Sequence, residues 1–141
     1  MSARHRLFER LERGLPLAEL EWDGPHGQRS EAGVLVAITD EADPRVLLGR
    51  RAMHLPLHPG EVAFPGGKRE PEDATPWATA LREAQEEVAL VQKLVHPLGE
   101  LLPLVTRTGF EVHPCVARVP AELELIVDPG EFDSVFMAPL E

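Results

Sequence analysis

The chain has 141 residues, a size at which one hydrophobic core buries roughly 70% of the unfolded chain's surface without a disulfide or a structural metal. Acidic residues outnumber basic ones 24 to 14, for a formal charge of -10, which argues against a broad surface for nucleic acid or anionic lipid. The single cysteine, Cys115, excludes an internal bridge and favours a reducing compartment, so a cytoplasmic protein is expected.

Residues 3–15 place Leu7, Phe8, Leu11 and Leu15 at helical spacing, with Gly14, Leu15 and Pro16 closing the run, and predict an amphipathic helix. The same segment is charged, which does not fit a secretory signal, and its two Glu speak against a transit peptide. A polar, Gly-rich stretch over residues 23–31 leads to an apolar run, 32–39, read as a buried strand. The longest apolar run, 32–38, contains Gly33 and falls far short of the roughly 20 residues of a spanning helix. Residues 40–44 are then a turn and 45–50 a second strand. From 51 to 65 the chain is rich in Pro and His without periodicity, which predicts a long functional loop with a brief strand at 61–64. Thr75 as N-cap and Pro76 at the first helical position start a helix that runs to about residue 90. Strands at 98–105 and 110–119 follow, joined by a hairpin turn at 106–109, and 122–127 and 134–137 are further strand segments. These elements predict an α/β fold, a mixed sheet flanked by helices, in a single domain over residues 1–141 without repeat or linker.

On the helix that starts at Pro76, Trp77, Leu81, Ala84, Val88 and Val91 form an apolar stripe. With Glu83 at zero, Glu87 lies at about +40° and Glu86 at about -60°, whereas the stripe centres near +120°. Like charges at these spacings oppose one another by a few tenths of a kcal/mol per pair. Arg82 reaches Glu86, and within the helix nothing else neutralises Glu83 and Glu87. Such a cluster is either a solvated acidic face or a cation site. The loop ahead of it favours the second reading: Gly66 and Gly67 let the backbone bend closely around a ligand or offer a carbonyl to a cation, and Mg²⁺ reaches phosphates through a few carboxylates and water.

Gly67, Asp73 and the run R-E-A-Q-E-E-V-A-L over residues 82–90 resemble the Nudix box, G-x5-E-x7-R-E-U-x-E-E-x-G-U with U aliphatic. The box covers about residues 67–90. Gly67 to Arg82 is one residue longer than the pattern, Asp73 or Glu70 stands for the first Glu, and Ala89 stands for the last Gly. Upstream, residues 47–67 align, with one residue fewer ahead of F-P-G-G, with the signature of the coenzyme A pyrophosphatase branch, L-L-T-x-R-[SA]-x3-R-x3-G-G-x3-F-P-G-G. Arg51, Ala52, Gly60 and Phe64, Pro65, Gly66 and Gly67 match it, and Gly49, Pro56 and Glu61 depart from it. Leu55, His58 and Gly60 fit the bacterial variant L-x-x-H-x-G-Q, and residues 106–114 and 131–140 are also similar to that branch, so the likeness covers about residues 30 to 141. The family usually continues beyond this point with more strand and a helix, so the chain is expected to be either a short member or one lacking its last element.

The resemblance implies a Nudix-like α/β/α sandwich. It implies that Glu83, Glu86 and Glu87, helped by the Gly67 carbonyl, hold Mg²⁺ or Mn²⁺, and that Arg82 orients the cluster through an acidic partner. It also implies that Arg51, His58 and Gly66 contact a small-molecule diphosphate substrate. The general base is one of the box Glu residues or a loop carboxylate such as Glu131. In a strand Arg50 and Arg51 point to opposite faces, so one of them serves the site, and the signature favours Arg51. Cys115 reads as a small buried apolar side chain. The implied reaction is hydrolysis of coenzyme A or a derivative to adenosine 3',5'-bisphosphate and (acyl-)4'-phosphopantetheine. Other nucleoside diphosphate derivatives, such as ADP-ribose or a dinucleoside polyphosphate, are the alternative substrates, and a non-catalytic nucleotide-binding module is a third reading.

The chain has no Asn, twelve Arg to two Lys, and 14 Pro, which suits either a thermophile's protein or a GC-rich genome. A thermal scan separates the two: a melting midpoint inside the mesophile range of roughly 45–65 °C rejects the first.

Overall fold

The structure, a computed structural model, describes residues 3–14, 30–107 and 109–140. In chain order the elements are α1 (Ala3–Gly14), β1 (Ser30–Asp40), β2 (Arg45–Arg51), β3 (Val62–Ala63), β4 (Gly66–Lys68), α2 (Pro76–Val88), β5 (His96–Glu100), β6 (Leu104–Val105), β7 (Phe110–Pro120) and β8 (Phe132–Pro139). The predicted Leu15 and Pro16 helix stop and most of the Gly-rich stretch, residues 23–29, lie outside the described residues.

β1 is the centre of the sheet. It runs parallel to β7 over its whole length, from Ser30↔Phe110 to Asp40↔Pro120. Its other edge is shared between two antiparallel partners: β4 pairs with its beginning, Ala32↔Lys68 to Val34↔Gly66, and β2 with its end, Ile38↔Val46. β8 lines β2, β3 adds to the end of β2, and β5 and β6 pair with β7. Side chains alternate across the sheet. Leu35 and Ala37, with Leu47, Cys115 and Ala117, pack on Trp77, Ala80, Ala84 and Val88 of α2. Ile38 and Val116 pack on Phe8 of α1 from the opposite side. A mixed sheet between two helices is the expected α/β arrangement.

Two of the predicted strands take another form. The run predicted at 98–105 breaks at residues 101–103, where Pro103 has no N–H for the ladder, and leaves β5 and the two-residue β6. Residues 122–127 alternate in exposure as a strand would but pair with no strand among the described residues. They form an extended strap whose neighbouring amides cap α2: Ile126 N–H donates to Val88 O at 3.0 Å and Asp128 N–H to Glu87 O at 2.8 Å. These bonds satisfy carbonyls that a helix end leaves open. α2 stops at Val88, short of residue 90, because Ala89 turns left-handed (φ 59°, ψ 31°). That conformation suits Gly and costs Ala about 1 kcal/mol. Val91 therefore falls beyond the helix and is 45% exposed, so it is not part of the apolar stripe. The hairpin turn is as predicted, with Gly109 at φ 85° and Thr106 N–H donating to Phe110 O at 2.8 Å.

The seating of α2 depends on Gly33. A Cβ there would lie 2.6 Å from the Pro76 carbonyl oxygen and 3.1 Å from Thr79 Cβ. Gly33→Ala is expected to cost about 2 kcal/mol by overpacking against backbone, read as a melting midpoint lower by roughly 5–10 °C in a thermal scan.

Candidate active site

Thr75 caps α2 by accepting from Ala78 N–H at 3.0 Å, and Pro76 fills the first helical position. The helix thereby presents Glu83 and Glu87 to β4. Three glycines allow the approach. A Cβ on Gly67 would sit 2.5 Å from the Glu83 carboxyl carbon, and one on Gly66 would sit 2.5 Å from the Gly33 carbonyl oxygen. With no side chain in the way, Gly66 N–H donates to Glu87 Oε1 at 2.8 Å. The expected loop around Gly66 and Gly67 is thus a short strand clamped between β1 and α2.

Glu87 is 4% exposed, although the helical wheel sets it apart from the apolar stripe. Burial is the largest influence on it and pushes its carboxyl up to about 8; Glu83 and Glu131 add to the rise, while Gly66 N–H and the Arg51 guanidinium oppose it. The Glu83 carboxyl is raised too, first by burial, with Arg82 opposing and Glu86 and Glu131 adding. Glu131 therefore belongs to the same electrostatic cluster. Its sequence neighbourhood reads as an exposed turn, but its carbonyl accepts from Ala52 N–H at 2.9 Å and holds it against the start of the functional loop. Glu86 remains at the open side, within 3.5 Å of Arg82 Nη1. A group of hard oxygen donors whose buried members resist ionisation because their neighbours offset too little of the charge is the chemistry a divalent cation fits.

Arg82 does more than the expected contact with Glu86. Its Nε lies 3.3 Å from Asp73 Oδ1 and its Nη2 2.9 Å from Asp73 Oδ2, and Nη2 also donates to Lys68 O at 3.1 Å. Nη1 reaches Glu83 Oε1 at 3.0 Å, so Glu83 does have a cationic neighbour inside the helix. Asp73 is the principal acidic partner; Glu70 stands at 3.4 Å. Sequence could not choose between the two because the choice depends on how the turn from Glu70 to Asp73 folds.

The Arg51 guanidinium contributes to the field at Glu87, whereas Arg50 is exposed, and the pairing of β2 with β8 shifts register between the two. The Arg51 Nε and Nη2 both donate to Leu57 O, at 3.3 and 3.0 Å, which sets the guanidinium plane. His58 is 60% exposed at its side chain and, at φ 54°, has Nδ1 3.1 Å from Glu61. The structure thus engages His58 within its own loop. β1 and β7 bring another group of ligand types together: Glu31, Glu111 and His113, one ligand atom each, within 4.8 Å of one another. Arg69 already pairs with Glu31 there at 2.8 Å. Cys115 is fully buried and burial pushes its thiol up, which leaves it inert as the sequence suggests. No helix of the described residues is long and apolar enough to cross a membrane.

In the metal-free protein, Glu87 keeps a proton that the unfolded chain releases near its ordinary 4.5. Because the folded state binds the extra proton between these values, stability should fall as pH rises from about 5 to about 8. Glu87→Gln cannot lose that proton, so its melting midpoint relative to wild type in EDTA should climb across the same interval.

Residues 29–141 match the family profile of the NUDIX domain. The uncharacterized Nudix hydrolase NudL of Yersinia pestis (strain Pestoides F) is 47% identical over 109 residues. That match covers 77% of this chain and 55% of the relative, so the chain spans about half the length of the curated relatives it matches. A Nudix hydrolase from Alicyclobacillus acidocaldarius has a TM-score of 0.68 at 23% identity, covering 81% of this chain and 80% of the other. A binary complex of the C. elegans Ap4A hydrolase has a TM-score of 0.66 at 20% identity, covering 77% and 80%. At these identities the solved structures speak for the fold alone, and they share the mixed sheet with a helix packed on it. From the profile match and the 47% identical relative, the chain belongs to the Nudix hydrolase family.

Proposed function

We propose that the protein is a metal-dependent diphosphate hydrolase, with coenzyme A or a CoA derivative as its substrate. Nudix hydrolases generally use divalent ions such as Mg²⁺ or Mn²⁺. The observation that carries the reading is the convergence on one helix face of Glu83, buried Glu87 and the Gly66–Gly67 backbone, with Glu131 and Arg51 in the same electrostatic field. Glu83, Glu86, Glu87 and the Gly67 carbonyl would hold the cation, which would supply Lewis acidity to neutralise phosphoryl charge and acidify water.

The chain's own groups do the rest. Arg82, fixed by Asp73, holds Glu83 in place. Arg51 uses Nε and Nη2 on Leu57 O and brings its charge to the diphosphate. Gly66 and Gly67 keep the backbone bare where the substrate enters, and His58 takes the outer part of it. Glu131 or a box carboxylate receives the proton from water. Support for CoA is the likeness to that signature over residues 47–67, a segment that starts within β2 and runs through a loop and β3 into β4. Pro56 and Glu61 depart from that signature, which keeps a dinucleoside polyphosphate or ADP-ribose as the second reading. A non-catalytic nucleotide-binding module is the third, and the presence of all three box carboxylates weighs against it. We assign the protein to the cytoplasm on its single, buried cysteine.

Incubation with Mg²⁺ and CoA should release adenosine 3',5'-bisphosphate and 4'-phosphopantetheine, and EDTA should stop it. Joint replacement of Glu86 and Glu87 by Gln should lower kcat at least a hundredfold, roughly the loss on removing key electrostatic groups. Turnover of ADP-ribose or a dinucleoside polyphosphate with CoA untouched moves the substrate to the second reading, and nucleotide binding without turnover moves the protein to the third.

A further inference from the structure

Between Gly67 and Arg82 the chain is one residue longer than the family's box, and the acid that meets Arg82 is one methylene shorter. A short carboxylate holds a guanidinium in one orientation only if it is itself held. Asp73 is buried, and its Oδ2 accepts three hydrogen bonds: from Glu70 N–H at 2.9 Å, from Arg82 Nη2 at 2.9 Å and from Thr79 Oγ1 at 2.8 Å. Thr79 is fully buried and lies against Gly33, so the packing of α2 on β1 fixes its hydroxyl. The consequence falls on Arg82. Its Nε and Nη2 are committed to Asp73 and Lys68 O, and Nη1 alone is left for Glu83. An arginine released from that arrangement would set its two-pronged edge on the nearest carboxylate, the stronger geometry, and that carboxylate is Glu83.

We propose that Thr79 is a positioning residue: by anchoring Asp73 it keeps Arg82 turned so that a single N–H reaches Glu83, leaving that carboxylate able to take a divalent cation. The inference rests on Glu83 being a metal ligand. Thr79 touches neither substrate nor cation and acts through Asp73 and Arg82.

The test is titration of the full chain with Mn²⁺, followed by electron paramagnetic resonance, for wild type, Thr79→Val and Thr79→Ser, with folding checked by circular dichroism. Loss of the hydroxyl should weaken Mn²⁺ binding about tenfold, the lower end of the range for partners behind a metal ligand. Thr79→Ser keeps the donor and should restore affinity to within about twofold of wild type. In steady state with the substrate that wild type hydrolyses, Thr79→Val should lower kcat with little change in KM. Should Thr79→Val not fold, Thr79→Ala, which a helix interior accepts, carries the same expectation. A folded variant without the hydroxyl that binds Mn²⁺ as tightly as wild type overturns the role of Thr79 and leaves the metal site standing. Wild-type protein that takes up no Mn²⁺ overturns the metal site itself, and this inference with it.

Discussion

The architecture turns on how closely backbone can approach backbone where β4 lies between β1 and α2. Gly33, Gly66 and Gly67 stand in that layer, and at each of them a methyl group would meet a carbonyl oxygen or a carboxylate at 2.5–2.6 Å. The absence of three side chains permits the helix to settle on the sheet with its acidic face turned inward at Glu83 and Glu87. Remove that approach and the Gly66 N–H no longer reaches Glu87, and Glu83 loses its neighbour at Gly67. The divided edge of β1 serves the same end. β2 takes one end of it and β4 the other, and residues 52–65 run between them.

The electrostatics follow from that packing. A carboxylate buried beside other carboxylates is disfavoured, and the protein offsets only part of the cost with one amide and two arginines. The imbalance is what a divalent cation would relieve. It also reframes the overall charge of -10. Acidity excludes an extended basic surface for polyanions, yet under the proposed function a cation held at the acidic site, together with Arg51, would receive a diphosphate. The formal charge of the chain and the charge a substrate would meet at that site are different quantities.

Much of this was legible in the residues. Thr75 and Pro76 mark the start of α2 because their local chemistry admits little else, and 32–39 and 110–119 mark the two central strands by apolar runs between turn residues. The box glutamates and the Gly-Gly pair mark the proposed site because helical geometry and glycine's freedom are local properties. Illegible were features set by distant partners. The alternation at 122–127 is shared by a strand and by an extended strap, and only the free carbonyls at the end of α2 decided between them. Helical periodicity put Glu87 on a polar face, but a face is polar only until another element covers it, and β4 does so here. For Glu131 the resemblance offers a candidate loop carboxylate, but its place in the field of Glu83 and Glu87 depends on where the loop packs.

By itself the sequence determined the kinds of element, their order, the parallel central pair's two strands and the chemical types in the site, all of which depend on residues within a turn or two of one another. Tertiary structure alone decided that Asp73 rather than Glu70 is the main anchor of Arg82, that Arg82 shows one N–H to Glu83, and that Glu87 is buried under Gly66. Each of these depends on angstrom-scale distances between groups many residues apart, and such distances exist only once the core has set the positions of α2, β1 and β4 against one another.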